Sequence, residues 1–177
     1  MVPNESKLAE LVLYVAERLR GDPKGGATKI NKVLFAAEFA HMRLHGVPIT
    51  GVEYQKLEQG PAPRRLLPVR DRLVSEGAAE LVRDRYLGYP LERLVPRRKA
   101  NLALFGPEEL KQVDQAIEAL WSKTAAEVSE LSHQEMGWQL VSVGETIPYE
   151  AAFLAPHFEV TESMRQHARR LATQLER

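Results

Sequence analysis

Apolar residues recur at helical spacing from the start of the chain. Leu8, Leu11, Val12, Val15 and Leu19 form one stripe over residues 5–20, with the charges elsewhere. This pattern predicts an amphipathic helix, capped by Asn4 or Ser6 and broken at Gly21-Asp22-Pro23 and Gly25-Gly26. A second helix is predicted over 29–44, with Thr28 as its N-cap. Its stripe of Ile30, Val33, Leu34, Ala37 and Leu44 is widened past half the circumference by Phe35, Ala36, Phe39, Ala40 and Met42. A helix this apolar all round belongs at the centre of its domain, packed against several neighbours.

The pattern changes after His45-Gly46-Val47-Pro48. Val52 to Glu58 reads as a short strand, and Gly60-Pro61-Ala62-Pro63 as a tight turn. A helix follows over about 63–76, burying Leu66, Leu67, Val69, Leu73 and Val74 and stopping at Gly77. Pro68 falls in its first turns, where proline is tolerated. Two strands, 79–84 and 91–96, flank a hairpin connection at 85–90. The remainder reads as helical: 107–121, then 124–133 capped by Thr124, then 161–176 capped by Thr161, with Pro148 and Pro156 in a loop-rich passage between. The expected fold class is mainly α (α+β): a single domain over 1–177, of about six to seven helices with a small β-hairpin or three-stranded element.

Composition narrows the function classes. The chain has 177 residues, 44% of them hydrophobic, enough to bury a core without staples. With no cysteine, disulfides, thiolate zinc sites and cysteine nucleophiles are excluded. Glu5, Glu10 and Glu17 interrupt the first twenty residues, unlike a secretion signal, and no apolar run nears the ~20 residues of a membrane helix. A soluble, cytoplasmic protein is expected. The formal net charge is zero but unevenly placed. Residues 62–104 hold ten Lys/Arg against five Asp/Glu, a net of +5; residues 105–162 hold two against eleven, a net of −9. Such segments are either solvated faces or two surfaces of opposite sign that steer charged partners.

Candidate chemistry is sparse. His41 and His45 share a helix face at zinc-ligand spacing, but only Glu38 stands nearby as a third ligand, so no metal and no cofactor is expected. Ser132 and His133 suggest a hydrolase pair, with Glu135 close. Adjacent side chains diverge, however, and no Gly-x-Ser-x-Gly elbow is present. A helix cap at Ser132, a carbonyl-bonded His133 and a core anchor at Trp138 explain the stretch better. Gly25-Gly26-Ala27-Thr28-Lys29 hints at an anion site, yet lacks the spacing of a phosphate-binding loop and reads as a loop-to-helix joint. The helix carrying Arg64, Arg65, Arg70 and Arg72 leads into a hairpin carrying Arg83, Arg85, Arg93, Arg97 and Arg98. That order matches a winged-helix DNA reader, whereas interleaved acids and a pI near 7.0 argue against one.

Several short motifs carry a family likeness over about residues 5–155. Lys29, Lys32, Val33, Leu34 and Phe35 form a Lys-x-x-Lys-hydrophobic helix. Gly60 and Pro61 form a Gly-Pro turn before a helix, and Ser132, His133 and Trp138 a Ser/Thr-His pair with a following tryptophan. In these the chain resembles the Panacea domain family, the SocA-like antitoxins of bacterial toxin–antitoxin systems. It departs from the pattern at Glu58-Gln59, where an aromatic residue often precedes the Gly-Pro. The resemblance implies a non-enzymatic, bacterial or phage interaction protein that neutralises a cognate toxin by direct contact. One member is described as an adaptor that delivers its toxin to a protease. The motif residues Lys29, Lys32, Phe35, Gly60, Pro61, Ser132, His133 and Trp138 are then expected as scaffold. The hairpin residues Arg83, Arg85, Tyr86, Tyr89 and Arg93 are expected to bind the partner, since Tyr and Arg are enriched in interface hot spots.

Overall fold

The computed structural model of the protein describes residues 2–86 and 88–154, with the side chains of Tyr86 and Tyr89 outside that set. The expected helix over 161–176 lies outside the described residues. The fold is α+β and mainly helical. Helix α1 (Glu5–Arg18) is capped by Asn4, whose side chain accepts from the Lys7 amide, and continues into a 3-10 turn at Leu19–Gly21. Helix α2 (Ala27–His45) ends where Gly46 turns left-handed at φ 73° and its N–H donates to the Met42 carbonyl. The rest comprises β1 (Tyr54–Leu57), β2 (Gly60–Pro63), α3 (Leu66–Ser75), β3 (Ala79–Tyr86), β4 (Tyr89–Pro96), α4 (Pro107–Leu120), α5 (Ala125–His133), α6 (Met136–Gln139) and β5 (Thr146–Ile147). A closing 3-10 turn spans Tyr149–Phe153.

The apolar excess of α2 makes it the axis of the fold. It packs against α1, α4, α5, β2 and the Tyr149–Phe153 turn. Phe35 and Phe39 meet Tyr54 and Tyr149 in an aromatic cluster with centroid separations of 4.2 to 6.2 Å. One antiparallel sheet runs β2-β1-β5; the β3–β4 hairpin is a separate pair, in register from Ala79↔Pro96 to Tyr86↔Tyr89. One hydrophobic core joins these elements.

Four local expectations are corrected. The N-cap of α2 is Gly26, and Thr28 lies inside the helix. Gly26 lies close under β4: a Cβ there would stand 2.5 Å from Leu91 Cδ1 and 3.3 Å from the Glu92 carbonyl oxygen. Residues 60–63 form strand β2, pairing Lys56↔Pro61 and Tyr54↔Pro63; the turn falls at Glu58-Gln59 instead. Both prolines are accommodated because β2 is an edge strand, where missing amides interrupt no ladder. Helix α3 accordingly starts at Leu66. Leu44 and Leu67, placed in the core by periodicity, are 63% and 59% exposed, because their helices turn those positions to the surface near an end.

Candidate functional site

Lys32, Gly60, Pro61 and Ser132 converge, with the His133–Trp138 stack beside them, although up to about a hundred positions separate them; Lys29 and Phe35 are engaged elsewhere. Lys29 and Lys32 lie one turn apart on α2, and both are buried. Lys29 Nζ donates to Asp22 Oδ2 at 2.5 Å, and the same carboxylate accepts from the Lys24 amide (2.9 Å) and the Ser122 amide (3.1 Å). Lys32, only 3% exposed, has no carboxylate beside it among the described residues. Its ammonium donates to the Pro61 carbonyl at 3.2 Å, and burial lowers its pKa to about 8. Gly60, at φ 97°, faces this ammonium. A Cβ there would lie 2.6 Å from Lys32 Nζ and 2.3 Å from Ser132 Oγ, so only glycine lets α2, β2 and α5 meet.

Ser132 is 7% exposed and its hydroxyl donates to the Ser129 carbonyl at 2.7 Å. It is a helix-end bond, and the hydroxyl is not directed at His133. The expectation that His133 bonds a carbonyl is corrected. Its ring stacks on Trp138 at 4.0 Å and 15°, and its Nε2 is buried with no hydrogen-bond partner among the described residues. Trp138 holds the stack in place. Its indole N–H donates to the Leu57 carbonyl (3.1 Å), and the Lys56 ammonium sits 4.0 Å from its centroid. The set ties β1, β2, α5 and α6 to α2; it does not assemble a nucleophile, base and acid.

Glu38 is the residue that sequence reasoning undervalued, considering it only as a third metal ligand. It is fully buried and accepts from the Ile49 amide (2.7 Å), the Thr50 amide (2.9 Å) and the Thr50 hydroxyl, fastening the loop after α2. His41 Nδ1 lies 2.7 Å from the Val47 carbonyl and its ring stacks on His45 at 4.4 Å. Among the described residues no group of three or more His, Asp or Glu side chains is placed to hold a metal. The loop-to-helix joint at Gly25-Gly26 is tight. The Gly25 amide donates to the Asp22 carbonyl at 2.9 Å, and a Cβ on Gly25 would lie 2.6 Å from the Leu19 carbonyl oxygen.

Burial pushes Glu38 up to about 7, against the pull of its amide donors. A carboxyl raised above its unfolded value near 4.5 holds a proton in the folded chain that the unfolded chain releases. Stability is therefore expected to fall as pH rises from about 4.5 to 7, by roughly 3 kcal/mol, and then to level off. Urea unfolding across this range checks it. Glu38→Gln should flatten the slope, and an equal slope in the variant would assign it to another group.

The basic stretch is mostly neutralised. Arg64 pairs with Glu53 (3.5 Å), Arg65 with Glu5 (2.6 Å), Arg70 with Glu92 (3.2 Å), Arg98 with Glu10 (2.7 Å), and Arg97 with Glu80. The acidic stretch likewise meets partners elsewhere, Glu109 on Lys7 (2.7 Å) and Asp114 on Arg18 (3.3 Å). Of the hairpin residues, Arg93 points inward. Its guanidinium donates to the carbonyls of Asp22 (2.9 Å), Gly25 (2.9 Å) and Pro23 (2.7 Å), clamping the loop before α2. Arg83 and Arg85 are exposed, and neither has a carboxylate partner among the described residues. The side chains of Tyr86 and Tyr89 lie outside the described set. A groove of about 1000 Å³ runs between the hairpin and the first turns of α2 and α5.

Among the described residues no helix is long and apolar enough to cross a membrane. No curated protein and no solved structure matches the chain. The family model described as antitoxin SocA-like, Panacea domain, matches residues 30–139. That span runs from the first turn of α2 to the end of α6 and contains Lys32, Gly60, Ser132, His133 and Trp138, the residues just seen to converge. With well over half its length matched, the chain belongs to the SocA-like antitoxin family through its Panacea domain.

Proposed function

We propose that this chain is a non-enzymatic antitoxin that neutralises a cognate protein toxin by direct contact, with the β3–β4 hairpin as the contact element. Family membership supports the antitoxin role. One observation supports this placement: the polar motif residues are engaged in joining helices and strands, whereas Arg83 and Arg85 stand exposed on the hairpin and form no ion pair among the described residues. Arginine on an exposed hairpin offers large contact area and a charged fork at low cost to folding.

Co-expression with the product of the neighbouring gene tests the reading. Growth arrest caused by that product alone should be relieved when this chain is present, and the two proteins should copurify. Persistent arrest, or a harmless neighbour, overturns it. Following the toxin's level after translation stops separates inhibition, which leaves it steady, from delivery to a protease, which depletes it. DNA binding through a winged-helix-like unit is the weaker reading, because six of the arginines on its helix and hairpin already hold carboxylates.

A further inference from the structure

We infer that the groove under the β3–β4 hairpin receives an acidic, partly apolar segment of the partner protein, anchored by Arg83 and Arg85; the inference rests on the antitoxin reading above. At about 1000 Å³ the groove is at the upper end of sites that enclose small ligands, and suits a short stretch of polypeptide. Its floor is apolar, built from Ala27, Leu91, Ala125 and Ala126, of which Ala125 and Ala126 are exposed.

The charges around it are asymmetric in their engagement. Asp84 is held by Arg93 at 3.3 Å, and Glu92 by Arg70 at 3.2 Å. Lys29 is held by Asp22. Arg83 and Arg85 also line the groove and form no ion pair within the described residues; Glu92, which stands across the hairpin from Arg83, is engaged by Arg70. The unshared charge is therefore positive although acids and bases both line the groove. Helix α2 begins at the same place, and Gly26 brings no side chain to its first amides, so the positive end of that helix adds to the field. A carboxylate-bearing segment gains on entering; a basic one is repelled.

Nucleic acid fits less well. A duplex is held by a row of cations, on the order of 6–10 phosphate contacts in strong binders, and this groove supplies two free arginines. An apolar floor serves side chains better than a sugar-phosphate backbone.

The test uses the full chain and the neighbouring gene's product as probe. Arg83→Glu with Arg85→Glu reverses the free charge, and Ala126→Trp fills the groove without changing charge. All three positions are exposed, so Ala126→Trp should hold the melting temperature of the free chain, and the double variant, which sets a like charge across from Glu92, should lower it only slightly. Each variant is expected to weaken the complex about tenfold or more, and native affinity should fall as salt is raised. Arg20→Glu, outside the groove, is the control and should bind as the native chain does. A protecting native chain whose groove variants bind and protect equally well overturns this inference and leaves the antitoxin reading standing. A native chain that neither binds nor protects removes both. Displacement of the partner by a short DNA duplex at low salt overturns the inference in favour of nucleic acid.

Discussion

Lys29→Ala is expected to destabilise the chain by about 3–5 kcal/mol, the range for removing one partner of a buried ion pair. Lys29 is 1% exposed and Asp22 not at all, so the change leaves a carboxylate in the interior without its counter-charge. The stranded carboxylate would keep only the amides of Lys24 and Ser122. It is the knot between the turn after α1, the start of α2 and the loop between α4 and α5, so its loss is felt in three elements. Set against the ~5–15 kcal/mol that holds a typical domain together, the change should move the urea midpoint down by about 1–3 M. Replacing both partners, Asp22→Leu with Lys29→Met, should cost less than Lys29→Ala alone, because no charge is then left uncompensated. A single variant that unfolds at the native midpoint would mean that Asp22 is satisfied without Lys29.

The second large effect is expected at Gly60. Alanine there meets two obstacles at once. Its Cβ would sit 2.3 Å from Ser132 Oγ and 2.6 Å from Lys32 Nζ, and φ 97° is a conformation that L side chains rarely adopt. Backbone strain of about 1–3 kcal/mol and overpacking of about 1–3 kcal/mol act together. Gly60→Ala should therefore lower stability by roughly 3–5 kcal/mol and disturb the seam between β2 and α5. Adding Ser132→Ala relieves the closest contact and should restore part of the loss, while the strain at φ remains. Recovery to native stability in the double variant would show that the backbone adapts freely. Gly60→Ala alone at native stability would show that the three elements do not meet as described.

The sequence reading of the fold held where the cause was local. The amphipathic stripe of α1, its cap at Asn4, one of two residues expected there, the Thr124 cap of α5, and the helix start at Pro107 all depend on residues within about one turn. It failed where the partner lay elsewhere. Residues 60–63 look like a turn by composition, yet β1 offers them an edge on which prolines cost nothing. Leu44 and Leu67 have core chemistry at helical spacing but sit near helix ends that face outward. The candidate site was half legible. Lys32, Gly60, Ser132, His133 and Trp138 were singled out by motif, but motif spacing carried no sign that they touch. Asp22 was seen only as a helix breaker and Glu38 only as a possible ligand, since a carboxylate's role depends on which donors the fold brings to it.

Periodicity and capping chemistry were enough to determine α1, α4, α5, the body of α2 with its central place, and the hairpin, because a 3.6-residue stripe and a capping side chain act within a few positions along the chain. The division of labour among like residues was decided only in three dimensions. Lys29 meets a carboxylate seven positions away, whereas Lys32, one turn on, meets a carbonyl twenty-nine positions away. Arg93 reaches back about seventy residues to clamp the loop before α2, whereas Arg83 and Arg85 on the same hairpin find no acid among the described residues. Identical side chains differ here because ion pairs and buried hydrogen bonds form within a few ångströms. Which groups come that close is set by how the helices and strands pack.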